Sequence, residues 1–160
     1  TFRDEYPDLV EESIKSDANK LGKNALTIEE FIIREFRNGN IKKEQFTSDK
    51  KEIKFHGHCQ QKALCGTSAT YEVLSIPENY KVEEIKSGCC GMAGSFGYET
   101  EHYELSMQVG ELVLFPAVRA ADENVIISAS GTSCRHQIKD GTKRTALHPV
   151  EVLLEAILKQ

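Results

Sequence analysis

The chain has 160 residues, 39% of them hydrophobic, with 20 basic against 25 acidic side chains and a formal charge of −5; that is enough for one domain with its own core and excludes disorder. Charge of both signs is spread along the chain without a basic stripe, which disfavours nucleic-acid binding. The longest wholly apolar run, Leu112 to Val118, is far short of the roughly 20 residues of a membrane span, and five cysteines, an odd number, read as thiols rather than a disulfide scaffold.

Tyr6, Leu9, Val10, Ile14 and Leu21 recur at helical spacing, with Pro7 in the first turn and Gly22 just beyond, and predict an amphipathic helix over 4–21. Thr27 and Glu30 match a capping box that opens a second helix through Phe31, Ile32 and Phe36, stopping at Asn38-Gly39. Residues 42–51 are polar and charged and read as a connection, so 1–50 is expected to be an N-terminal two-helix extension. At Ile53 the character changes. Ile53 to Phe55 is β-prone and leads into His56-Gly57-His58-Cys59, then a helical segment over 60–74. Residues 80–85 read as a second strand, ending at Ser87-Gly88-Cys89-Cys90-Gly91. A long helix over 101–121 should kink at Pro116. A third strand over 125–128 precedes Gly131 and Cys134; a short fourth, 144–147, precedes His148-Pro149 and a last helix over 150–158. Strands alternating with helices predict an α/β fold: a small three-layer domain over 51–160, with a parallel sheet of about four strands.

Ligands of open α/β sheets gather at the carboxyl ends of the strands. Cys59 follows the first strand, Cys89 and Cys90 the second and Cys134 the third, so these four thiols are expected at one edge. Cys65 falls inside a helix and is expected in the core. Adjacent cysteines such as Cys89 and Cys90 bridge each other only with strain. Four converging thiolates repel and require a cation: iron in an iron–sulfur cluster, or zinc. Structural zinc sites generally draw on C-x-x-C knuckles, and this sequence has none; single contributions from successive strand ends plus a vicinal pair suit a cluster cradle better. Gly88, Gly91, Gly94 and Gly97 recur every third residue, and the first three are the candidate cofactor-binding glycines, letting the backbone pass close to a bulky anionic group. This is not the G-x-G-x-x-G of a dinucleotide loop. Cys134, near a helix start, should be favoured as thiolate by the dipole. His58, His136 and His148 are candidates to ligate or to donate to a ligand sulfur. The simpler readings are loop side chains for His56 and His58, a helix cap for His148 and a solvated helix residue for His102.

His58-Cys59, Cys89-Cys90-Gly91 and Ser133-Cys134 resemble the cysteine-rich CCG domain of heterodisulfide reductases and glycolate-oxidase iron–sulfur subunits. The longer string from Cys89-Cys90-Gly91-Met92-Ala93-Gly94 through Ser95-Phe96-Gly97-Tyr98-Glu99, with Ser133-Cys134-Arg135-His136-Gln137-Ile138, is similar to the C-terminal part of fused flavin and iron–sulfur oxidoreductases of the FAD-linked D-lactate dehydrogenase type. The resemblance covers about residues 53–158. Members carry two CCG copies in tandem, and this segment resembles the second. Thr1-Phe2-Arg3-Asp4-Glu5 resembles a stretch that follows a cysteine of the first copy, which agrees with a start lacking Met and leads us to expect a piece of a longer protein. The heterodisulfide reductase pattern ends in C-x-x-C, whereas Gln137 stands three residues after Cys134, so the oxidase branch is closer.

The resemblance implies a 4Fe-4S cluster on Cys59, Cys89, Cys90 and Cys134 and no catalytic residue in this segment. A flavin domain elsewhere in the parent polypeptide, carrying FAD, would oxidise a D-2-hydroxy acid. This domain would relay the electrons toward a quinone or another carrier, alongside the first CCG copy. The location implied is cytoplasmic, or at the inner face of the membrane reached through the acceptor. On the residues alone, two other functions compete: a thiol–disulfide catalyst using the vicinal pair, and a structural zinc module.

Overall fold

Strand β1 (Lys51–His56) is two-faced: Ile53 and Phe55, each 1% exposed, point to one layer and His56 to the other, as the strand period of two requires. In the computed structural model, which describes residues 1–158, β1 pairs in parallel with β2 (Tyr80–Glu84) on one side and β3 (Ile126–Ala129) on the other. β4 (Ala146–Leu147) joins β3, also in parallel. The order β2-β1-β3-β4 puts the carboxyl ends of these strands at one edge, and the α/β class with a four-stranded parallel sheet is as expected. Residues 159 and 160, the end of the expected 51–160 segment, lie outside the described residues.

Helices cover both faces. On one, Leu74 of α5 (Ser68–Leu74) and Val152 of α9 (Pro149–Ala156) pack on Ile53 and Phe55. Outside them Ile33 of α3 (Ile28–Arg37) joins Val73, Ile76, Leu153 and Phe46. The other face carries α6 (Tyr103–Glu111), α7 (Leu114–Arg119) and α8 (Thr132–Thr142). Its centre is Phe115, fully buried where Gly110 and Gly141 make room, since a Cβ on either would lie 2.3 Å from the ring. Burying a side chain of this size stabilises by roughly 1.5–3 kcal/mol.

The capping box forms as read: Thr27 accepts from the Glu30 N–H, and the Glu30 carboxylate accepts from the Thr27 N–H. Three expected helices are broken. The segment 4–21 divides into α1 (Tyr6–Leu9) and α2 (Lys15–Asn24), with Val10 extended between them and Leu9 79% exposed. Arg3 ties this region to α3 through a two-pronged ion pair with Glu30, at 3.0 and 2.6 Å. The segment 60–74 divides into α4 (Cys59–Leu64) and α5 at Cys65-Gly66, where Gly66 takes φ +73°. The segment 101–121 breaks at Leu112 and Val113, not at Pro116, which sits in the first turn of α7 where its missing N–H has no intrahelical partner to lose. The polar connection 42–51 conceals Phe46, which is buried and bridges to Ile157.

Candidate metal centre

The backbone delivers each thiol to the same edge. β1 passes through Gly57-His58 to Cys59, the first residue of α4; β2 passes through Ile85 and Gly88 to Cys89 and Cys90; β3 passes through Gly131 to Cys134 in the first turn of α8. Because β2, β1 and β3 are neighbours, the four thiols gather at one edge, close enough that the charges of Cys90, Cys59 and Cys89 act on Cys134 and those of Cys89 and Cys90 on Cys59. They form two pairs. Cys90 and Cys134, 3% and 1% exposed, have their ligand atoms within 4.8 Å of each other at the inner side. Cys59, exposed, and Cys89, half-buried, adjoin at the outer side. Cys65 is set apart and is not the core residue expected. It is half-buried beside Arg3 and Glu30, because the helix break turns it out, and its thiol donates to the Gln61 carbonyl.

The two inner thiols act strongly on each other. Cys90 is drawn well below the ordinary thiol range, first by the hydrogen bond from Cys134, against the effect of burial, and further by His56 and the Met92 N–H. Cys134 is pushed up by that same bond, by burial and by the surrounding thiolate charges. Burial and neighbouring thiolate charge thus act on Cys134 against the helix-dipole preference expected for it. Burial, followed by Cys89, raises Cys59.

The vicinal loop is tightly coiled. Gly91, Ala93 and Gly94 take φ of +102°, +40° and +73°, and the Gly91 N–H donates to Cys89 Sγ at 3.3 Å. A Cβ on Gly91 would lie 2.1 Å from the Ser106 carbonyl of α6, whereas one on Gly88 or Gly94 would meet open space. Gly91 thus lets the loop press against α6. Gln137, at the position where C-x-x-C would place a further thiol, is buried and donates to Ser106 Oγ at 2.8 Å, fastening α8 to α6. Lys62 donates to the Ser87 and Gly88 carbonyls and Arg135 to those of Ala129 and Ser130, so two cations brace the strand ends.

His56 is not a loop side chain. It is the last residue of β1, 1% exposed, paired with Ala129 and turned into the layer that contains Cys90 and Cys134. Its Nδ1 lies 2.7 Å from Ser87 Oγ, while Nε2 is buried without a hydrogen-bond partner. The ligand atoms of His56, Cys90 and Cys134 lie within 4.8 Å of one another. The signal in the sequence was its place immediately before Gly57, at a strand's carboxyl end. The other histidines serve differently. His58 stands at the N-cap position of α4 without a side-chain capping bond and packs near Gly131, His136 is exposed with Nδ1 3.2 Å from the Tyr98 hydroxyl, and His148 caps α9 by accepting the Val150 N–H. His102 stacks on Phe96 and pairs with Glu99. Soft thiols with a partnerless buried imidazole nitrogen make a donor set that can hold iron with sulfide, or zinc.

Among curated proteins the chain is similar to D-2-hydroxyglutarate dehydrogenase of Pantoea ananatis, 31% identical over 98% of this chain and 14% of the relative. D-2-hydroxyglutarate dehydrogenase of Escherichia coli is 38% identical over 64% of this chain and 10% of its own length. One component of the anaerobic glycerol-3-phosphate dehydrogenase of Escherichia coli is 26% identical over 66% of this chain and 26% of that component. The chain thus spans about a tenth to a quarter of the length of these relatives. No protein-family model matches the chain, and no solved structure matches it. No helix among the described residues is long and apolar enough to cross a membrane.

Proposed function

We propose that the chain is an iron–sulfur electron-relay domain of the CCG type, the second copy in an FAD-dependent D-2-hydroxy-acid oxidoreductase, with a 4Fe-4S cluster held by Cys59, Cys89, Cys90 and Cys134. The observation that carries this reading is the meeting of four thiols from three adjacent strand ends, two buried and two outward. Similarity to D-2-hydroxyglutarate dehydrogenases supports that acid as the parent's substrate, and similarity to a component of a glycerol-3-phosphate dehydrogenase supports the redox assignment. In the parent, a flavin domain would supply hydride abstraction from the hydroxy acid, giving a 2-oxo acid, and this domain would pass the electrons singly toward a quinone or another carrier.

The cluster, when bound, supplies one-electron transfer. The chain's own residues prepare its place. Cys90 and Cys134, packed with Leu114 and Ile138, exclude water from the inner side. The Gly91 N–H donates to Cys89 Sγ, and the Met92 N–H helps draw Cys90 toward the thiolate. Lys62 and Arg135 bring positive charge to an edge that collects negative charge. The outward side of Cys59 and Cys89 would face the first CCG copy or the flavin domain. Anaerobic purification with iron and sulfide analysis and electron paramagnetic resonance tests the assignment. Iron and sulfide in equal amounts with a signal on reduction is the expected result. Zinc without sulfide would make the domain a structural module instead, and metal-free, rapidly alkylated thiols would make it a thiol–disulfide catalyst.

A further inference from the structure

Resting on the metal centre proposed above, we infer that His56 supplies it with a nitrogen ligand from the buried side. Three observations converge on this ring. First, its backbone is held by the register of the central strand against Ala129, so the side chain cannot swing to solvent without breaking the sheet. Second, Nε2 is a buried polar atom without a partner, in a position where an aliphatic side chain would carry no desolvation cost. Third, a ring nitrogen of His56 and the sulfurs of Cys90 and Cys134 lie within 4.8 Å of one another, close enough for the ring to reach a metal atom held at the inner side with small side-chain adjustments.

Ser87 can hold the ring in the tautomer a metal needs. Its hydroxyl lies 2.7 Å from His56 Nδ1 and 3.4 Å from the Ile85 carbonyl. With the proton on Nδ1, the Ser87 oxygen accepts from the ring while its O–H is free to donate to the carbonyl. Nε2 then keeps a bare lone pair, the form in which imidazole binds a metal. A neutral nitrogen added beside the four thiolates brings no negative charge, so it leaves the reduction potential of the centre higher than a further thiolate in its place would.

The test uses the full chain, loaded anaerobically with Fe2+ and sulfide, with histidine labelled by 15N, and reads pulsed electron paramagnetic resonance of the reduced state. A strong nitrogen coupling is expected in the wild type, lost in His56→Asn and kept in His58→Asn and His136→Asn. His56→Cys should retain iron and shift the potential downward. In case His56 variants misfold, Ser87→Ala keeps the ring in place and releases only its tautomer; iron affinity should fall about 10–100-fold with an unchanged circular dichroism spectrum. A wild type without strong nitrogen coupling, or His56→Asn with the coupling and iron affinity intact, overturns the role of His56 while leaving the thiolate centre standing. Iron retained by both Cys90→Ala and Cys134→Ala, or never bound by the wild type, overturns the centre itself and His56 with it.

Discussion

The inner and outer thiols of the strand edge belong to different parts of the fold. Cys90 and Cys134 are members of the hydrophobic layer built on Leu114, Phe115 and Ile138, and their positions follow from packing. Cys59 starts α4 with its side chain in solvent, and Cys89 is half-covered by a loop held through positive-φ residues. Packing that exists without any bound group fixes one half of the site. The other half has little but short-range backbone contacts, and on the proposed reading is the half that would gain order from a metal or a neighbouring domain. A centre assembled in this way is rigid toward the core and adaptable toward a partner.

The strongest blow to this contrast is Phe115→Ala. It empties the layer behind the inner pair and should destabilise the chain by about 3–5 kcal/mol, read by urea denaturation. Below the transition, Cys90 and Cys134 should become alkylated at rates approaching those of Cys59 and Cys89; if they stay protected, packing is not what places them. Next in size are the ligand substitutions. Cys90→Ala and Cys134→Ala should each lower iron affinity by at least ~100-fold in anaerobic loading, and Cys59→Ala and Cys89→Ala by nearer ~10-fold. Equal losses at all four would erase the distinction.

Gly91→Ala should cost about 2–3 kcal/mol, because its Cβ meets the α6 backbone at a left-handed φ, and Gly94→Ala only about 1 kcal/mol, since its surroundings are open. Reversal of that order in denaturation midpoints would mean that the loop is not anchored on α6. The smallest effect lies on the flank away from the thiols. Burial lowers the pKa of His148, with Glu29 and Glu151 opposing and Arg135 assisting, and the neutral ring accepts the Val150 N–H. An unfolded chain therefore takes up this proton first: the stabilisation is complete above about pH 6.5 and is lost as pH falls through the depressed folded value. His148→Asn, still able to cap, should remove this step while leaving iron affinity unchanged. A denaturation series between neutral and acid pH measures it.

Much of this was legible in advance because strands and their ends leave strong local marks. β-prone Ile53 to Phe55, the run from Tyr80 and Val125 to Ser128 place three strand ends, and the cysteines fall just beyond each. Helix continuity was less legible. Apolar spacing runs unbroken through Cys65 and through Leu112-Val113, yet the chain turns there to wrap helices over a small sheet, and spacing alone carries no sign of the turn. Phe46 was hidden by charged neighbours, since burial of a single aromatic residue in a connection follows from where Ile157 arrives, a contact of long range. His56 was missed for a different reason. Its role depends on β1 running one residue further than its apolar stretch, which turns a supposed loop histidine inward beside Cys90.

The order β2-β1-β3 also acts as a gauge. Hydrogen-bonded strands stand about 4.8 Å apart, so donors carried by two neighbours form a narrow pincer, while donors carried by three are spread over about 10 Å at their roots. That width is set by peptide geometry, not by the thiols, and no side-chain substitution at the edge can shrink it. The inward tips of His56, Cys90 and Cys134 narrow that span to 4.8 Å at the buried side, whereas an object several atoms across is needed to touch the outer thiols as well. The spacing of the strands thereby sets the size of what can engage the whole set.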